Sequence, residues 1–156
     1  MNAPNVSPMT ANLNDVQARL VSARMLCEQH GARFTPMRAR VLEVLLQHNR
    51  FVTAYELLNS ILKTHPRANA ATVYRILGFL MEKGLAHRLA TVSGYVACNQ
   101  VPCNGYRLFA ICTHCGTVAE LEGNDVRERL AAQAARVGCT LEEGAAEVRV
   151  VCRDCQ

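Results

Sequence analysis

Residues 53–98 read TAYELLNSILKTHPRANAATVYRILGFLMEKGLAHRLATVSGYVAC, and this stretch decides the fold. Thr53-Ala54-Tyr55-Glu56 is a capping box, in which an N-cap threonine and a glutamate three residues later satisfy backbone groups that a helix start leaves open. Val52 before the cap and Leu57 at the fourth helical position complete a hydrophobic staple, so a helix starts sharply here and runs to about Lys63. Pro66 breaks the chain. From Asn69 to Lys83, Val73, Ile76, Leu77, Leu80 and Met81 recur at helical spacing, and Gly84 supplies a C-terminal cap. Leu85 to Leu89 and Tyr95 to Cys98 are short extended pieces separated by Thr91-Val92-Ser93-Gly94, which reads as a hairpin. Helix, break, helix and hairpin in that order is a winged helix-turn-helix, whose later helix enters the DNA major groove. Opposite the apolar stripe stand Ala71, Thr72 and Arg75: small residues that permit close approach, and a guanidinium that can read guanine bidentately. Tyr55 is a second candidate contact, and Arg38, Arg40 and Arg67 are candidate phosphate contacts. The alternatives are a surface ion pair for Arg75 and half-buried packing for Tyr55 and Tyr74, Tyr74 being read mainly as core.

Upstream, Val16, Leu20, Ala23 and Cys27 share one face of a helix over Asn14 to His30 that Gly31 can end. Thr35-Pro36 is an N-cap followed by proline at the first helical position, opening a helix through His48 with Val41, Leu42, Leu45 and Leu46 inward. Residues 1–13 read as a disordered leader with neither the basic start nor the apolar run of a signal peptide. Downstream, Tyr106 to Cys112 and Val118 to Glu122 are strands flanking a Cys-rich turn. Asn124 to Val137 is an amphipathic helix with Val126, Leu130, Ala134 and Val137 on one side, and Ala146 to Val151 alternates as a half-buried strand. The expected organisation is α+β: a winged-helix domain over 14–98, a hinge over 99–105 and a smaller domain over 106–156.

The composition of the 156 residues, 17 Lys plus Arg against 13 Asp plus Glu with no Trp, is that of an ordinary globular chain and excludes disorder, collagen and coiled coil. Charge is unevenly placed: residues 1–92 carry 11 basic and 5 acidic side chains, residues 93–156 carry 6 and 8. An anionic partner for the first half fits that asymmetry, as does a plain solvated surface. No stretch reaches membrane-spanning length.

Eight cysteines without an export signal point to a reducing compartment, unoxidised thiols and metal chemistry. Cys112-Thr-His-Cys115 and Cys152-Arg-Asp-Cys155 are two CxxC knuckles, and two knuckles complete the closed tetrahedral thiolate shell of a structural zinc. Such a site contributes folding energy and secures the end of a small domain. A thioredoxin-like thiol oxidoreductase is disfavoured, because its CxxC opens a helix whereas Cys115 leads into a strand. His114 is an exposed spacer, and Cys27 and Cys139 read as small buried hydrophobes. His87, Cys98, Cys103 and Glu120 form a second candidate metal set near the domain junction, each with an ordinary surface or packing role as its alternative.

Taken together, Arg33-Phe34-Thr35-Pro36-Met37-Arg38, Thr53-Ala54-Tyr55-Glu56-Leu57-Leu58, Ala71-Thr72-Val73-Tyr74-Arg75 with Leu77, Gly84-Leu85-Ala86-His87 and both CxxC pairs resemble the ferric uptake regulator family, most of all its zinc uptake regulator branch. The resemblance implies a homodimeric, metal-dependent repressor, not an enzyme, acting in the bacterial cytoplasm on a palindromic double-stranded operator, with a C-terminal α/β dimerisation domain. It implies operator contacts from Tyr55 and Arg75, and a regulatory zinc at His87, Cys98 and Glu120. The family usually supplies a histidine between Cys98 and Cys112, and Cys103 is the nearest suitable residue here. Two zinc ions per chain are then expected, the regulatory one acting as corepressor of zinc-uptake genes by tying the wing to the dimerisation domain. Family iron and manganese sensors rely on histidine and carboxylate ligands, so the thiolates favour zinc over the alternative of another divalent metal such as iron. Where some relatives link neighbouring dimers through an acidic and a basic residue, this chain has Asn59 and Lys63.

Overall fold

The computed structural model describes residues 13–99 and 106–156. The expected leader (but for Leu13), most of the expected hinge, and Cys103 lie outside them. The chain divides into two compact units, which among the described residues cover 13–99 and 106–156.

The first unit runs α1 (Leu13–Gln29), α2 (Pro36–Leu46), β1 (Val52–Thr53), α3 (Ala54–Leu62), α4 (Ala70–Glu82), β2 (Ala86–Leu89) and β3 (Gly94–Ala97), with a 3-10 turn at Ala90–Val92. Each helix start has its chemical reason. Thr35 Oγ1 accepts the Arg38 N–H at 3.3 Å ahead of Pro36. Thr53 Oγ1 accepts the Glu56 N–H at 3.2 Å while Glu56 Oε2 accepts the Thr53 N–H at 2.8 Å, the reciprocal capping box. Asn69 Oδ1 accepts the Thr72 N–H at 2.9 Å and so starts α4. The inward faces, including Val16, Cys27, Val41, Leu45, Leu57, Ile61, Val73, Leu77 and Leu80, form one apolar core.

The wing is a three-stranded antiparallel sheet in the order β1-β3-β2. Its third strand, β1, is a two-residue addition that periodicity does not reveal: Val52 pairs with Tyr95 and Thr53 with Gly94. Gly94 is required there, since a Cβ would lie 2.5 Å from Phe51 Cδ2. Ser93 takes the left-handed conformation at φ 49° and closes the hairpin.

In the second unit β4 (Arg107–Cys112) is central, antiparallel to β5 (Val118–Glu122) and parallel to β6 (Ala145–Val150), with α5 (Asn124–Arg136) as the crossover. All six residues of β4 are buried. Two apolar faces of this unit stay exposed, and for β6 this corrects the expected alternation. The apolar stripe of α5 is not buried within the chain: Leu130 is 42% exposed and Val137 76%. Val148 in β6 is also exposed, so the alternation expected there is not realised. The physical cause is the same for both, an apolar surface that the described residues leave uncovered.

Candidate metal centre and nucleic-acid interface

The parallel pairing of β4 with β6 sets Cys112 opposite Val150, so both strands end at the same edge. The two knuckles follow directly. Gly116, at φ 75°, donates its N–H to the Cys112 carbonyl at 3.1 Å and folds Cys115 back, while a 3-10 turn over Arg153–Cys155 does the same for the second pair. Thr113 N–H bonds Val150 O at 2.9 Å and locks the knuckles together. The sulfurs of Cys112, Cys115, Cys152 and Cys155 all lie within 4.8 Å of one another, and Cys115 Sγ is 3.6 Å from Cys152 Sγ. A tetrahedral zinc with Zn–S bonds of about 2.3 Å needs sulfur separations of roughly 3.8 Å, which this cluster meets.

The surroundings favour thiolate at the first knuckle and oppose it at the second. Backbone N–H groups of Cys115, then Cys152 and His114, hold the Cys112 thiol down to about 5. The Thr117 hydroxyl, 3.1 Å from Cys115 Sγ, lowers Cys115 as well. Cys155 is pushed up to about 12, first by its contact with Cys152 and then by Cys115. Without a cation, charge thus collects on the first knuckle, and a divalent ion removes the mutual repulsion that keeps the others protonated. His114 is exposed, as expected of a spacer.

On α4, Ala71, Tyr74, Arg75 and Gly78 follow one another at i, i+3, i+4 and i+7 and are all exposed, opposite buried Val73, Ile76, Leu77 and Leu80. Tyr74, read from pattern as core, is 56% exposed, because it lies on the face opposite the stripe. Helical periodicity counted from Ala71 was the signal that finds it. Tyr55, 72% exposed at the start of α3, and Arg67 also face solvent. Thr72 is half-buried, with its hydroxyl 3.1 Å from Asn69 Oδ1. A cleft of ≈ 430 Å³ is lined by Arg33, Thr35, Met37, Arg38, Thr72, Arg75 and Ile76, three guanidinium-bearing residues and no carboxylate. Arg38 is fixed within it: its guanidinium lies 3.5 Å from the centre of the Phe79 ring and donates to the Arg33 carbonyl. Arg40 instead pairs with Glu43 on its own helix at 2.6 Å. Arg33 and Met37 are the members of this cleft that residue-by-residue reading had given no role.

The sequence profile of the ferric uptake regulator family matches residues 29–149. The chain belongs to that family. It is 33% identical over 141 residues to the zinc uptake regulation protein of Escherichia coli (strain K12), covering 89% of this chain and 82% of that protein. A zinc uptake regulator solved in complex with zinc and DNA superposes with a TM-score of 0.82 at 31% identity, covering 90% of this chain and 94% of that one. A holo Zur structure, XcZur, superposes at 0.76 with 34% identity over 88% and 96%.

In this family member the second candidate set is distributed over both units. His87 lies on β2 opposite Val96. Cys98 follows β3, is 1% exposed, donates its N–H to Leu85 O at 3.0 Å and accepts from the Arg19 guanidinium through its carbonyl. Glu120, on β5 opposite Phe109, makes an ion pair with Arg107 at 3.3 Å. Cys27 is buried as expected. Cys139 is exposed, contrary to expectation, because it follows the turn at Gly138 that ends α5 on the uncovered side.

Proposed function

We propose that this chain is a zinc-responsive, DNA-binding transcriptional repressor of zinc-uptake genes. The observation that carries the reading is the likeness, across nine-tenths of the chain, to a zinc uptake regulator solved with zinc and DNA, at 31% identity. The chain's own residues supply both chemistries: a four-thiolate centre of zinc geometry and an exposed Tyr–Arg face on the second helix of a helix-turn-helix.

Several finer features belong to the same proposal. Tyr55, Tyr74, Thr72 and Arg75 meet base edges, while Arg33, Arg38 and Arg67 meet phosphates. One zinc is structural, at Cys112, Cys115, Cys152 and Cys155. A second, regulatory zinc is held by His87, Cys98 and Glu120 with Cys103 as fourth ligand, giving two per chain; imidazole, thiolate and carboxylate together are a donor set that zinc accepts. Bound there, zinc adds metal–ligand bonds that favour the DNA-competent conformation. The uncovered Leu130, Val137, Val148 and Val151 form the face against which a second copy packs, and the resulting two-fold symmetry matches a palindromic operator. The protein acts in the bacterial cytoplasm, and among the described residues no helix is long and apolar enough to cross a membrane. A regulator of this kind needs no catalytic group, which sets it apart from a thiol oxidoreductase.

The deciding experiment titrates operator binding against buffered free zinc under reducing conditions while counting tightly bound zinc per chain. Specific binding that rises with free zinc after the first equivalent is already bound supports the reading. Zinc-independent binding, or no salt-dependent DNA affinity at all, overturns it.

A further inference from the structure

Phe79 lies on the flank of α4, half-buried against the apolar core and one helical turn beyond Arg75. Its ring also carries a cation. The Arg38 guanidinium, from the first turn of α2, lies over it at 3.5 Å from the ring centre and donates to the Arg33 carbonyl. Lys83 Nζ is farther from the same ring, at 5.9 Å, and is ion-paired with Glu82 at 2.8 Å. Among the described residues no carboxylate is ion-paired with Arg38. Arg38 lines the cleft of ≈ 430 Å³ together with Arg33 and Arg75, and no acidic side chain lines it. A guanidinium has several N–H donors beyond the one that Arg33 accepts, so a fixed guanidinium in a cleft of cations suits an anion from outside the chain.

We propose that Phe79 is a positioning residue for DNA binding: its ring face holds the Arg38 guanidinium at the cleft, ready to engage a phosphodiester of the duplex whose bases Arg75 reads. The inference rests on the reading of this face of the protein as the DNA interface. A free arginine side chain samples many rotamers, and ordering one on binding weakens affinity by roughly 2- to 12-fold. An arginine already ordered against a ring loses less freedom when a phosphate arrives. The contact carries no base information, so the gain is the same on every sequence.

The test measures Kd by fluorescence anisotropy, with full-length, reduced, zinc-saturated protein, a duplex that the parent protein selects from a random-sequence pool, single-base variants of that duplex, and several salt concentrations. Phe79→Leu keeps apolar packing against the core and removes the π face. It is expected to raise Kd by roughly 2- to 12-fold, by the same factor on every duplex, with the salt slope unchanged because Arg38 keeps its charge. Phe79→Tyr restores the parental Kd. Arg38→Gln lowers the salt slope by about 0.9 for each bound chain, and in that background Phe79→Leu adds nothing. If Phe79→Leu does not melt as a folded protein, Phe79→Met takes its place. A merely structural role for Phe79, or one exerted through Lys83, would raise Kd by the same factor with and without Arg38, and that result refutes the inference. So does an unchanged Kd in Phe79→Leu, or no rescue by tyrosine. If Arg38→Gln weakens binding while Phe79→Leu does not, only the role of Phe79 fails. If Arg38→Gln keeps the parental Kd and slope, the phosphate contact fails and the inference with it, while Arg75→Ala still reports on the recognition face. Failure of the parent to select any duplex overturns the DNA-binding reading as a whole.

Discussion

Replacing Arg75 by alanine isolates the recognition chemistry, because Arg75 sits on the exposed face of α4 and contributes nothing to the apolar core on the other side. Surface substitutions away from packing change stability by about 0.5 kcal/mol or less, so the variant should melt with the parent and hold its four-cysteine zinc. Alanine is a good helix former, and the change lies in the middle of Ala70–Glu82, away from the Asn69 cap. DNA binding is where the loss appears. A bidentate contact to guanine is worth about 1–3 kcal/mol, roughly a 5- to 150-fold rise in Kd for the operator. The assay is fluorescence anisotropy at saturating zinc, with the operator and with a panel of single-base variants, each at several salt concentrations. The parent should discriminate sharply at one position per half-site, and Arg75→Ala should lose that discrimination while retaining the others. Arg67→Ala, in the turn before α4, provides the contrast: a uniform loss over all sequences, with the salt slope smaller by about one. A uniform loss for Arg75→Ala as well, with its base preference intact, would refute base reading by this residue and reassign it to the backbone.

Three further outcomes follow from particular atoms. Cys155→Ser removes one corner of the sulfur cluster whose members lie within 4.8 Å, so tightly bound zinc should fall by about one per chain and the second unit should lose cooperative melting; retention of that zinc would dismiss the four-thiolate assignment. Glu56 has its carboxyl held down to about 2, chiefly by Arg50, and by the Thr53 N–H and hydroxyl against an opposing effect of burial. A folded value below the unfolded one, about 4.3, means that the stabilisation is complete above that pH and lost as pH falls towards 2. Being part-exposed, the pair contributes on the order of 1 kcal/mol or less, and acid melting of Glu56→Gln should be correspondingly flatter in this window; identical pH dependence would argue against the pair. Gly94→Ala places a methyl 2.5 Å from Phe51 Cδ2 and 2.9 Å from its Cβ. A cost of about 1–3 kcal/mol in thermal unfolding is expected, and a neutral result would show that Phe51 moves freely.

The five helices were legible because their signals are local: Thr35-Pro36, the Thr53–Glu56 box and Asn69 each stop or start backbone hydrogen bonding within one turn, and the apolar residues of α4 repeat at 3.6. Strand β1 was not legible, since two residues carry no period and their pairing with Tyr95 and Gly94 depends on a contact across more than forty positions of chain. Tyr74 was misplaced for a different reason. Its aromatic ring suits a core, and only the phase of the helix turns it outward.

Taken alone, the order of residues determined the winged-helix pattern, the two thiol knuckles and the chemical class of the partners, because caps, periods and CxxC spacings act over a few bonds. Tertiary structure decided the rest. Parallel pairing of β4 with β6 brings cysteines 37 to 43 positions apart onto one zinc-sized cluster, and only folding puts Arg107 against Glu120 out of water. Such contacts join positions far apart in the chain, where no local rule speaks and burial alone selects which charge meets which.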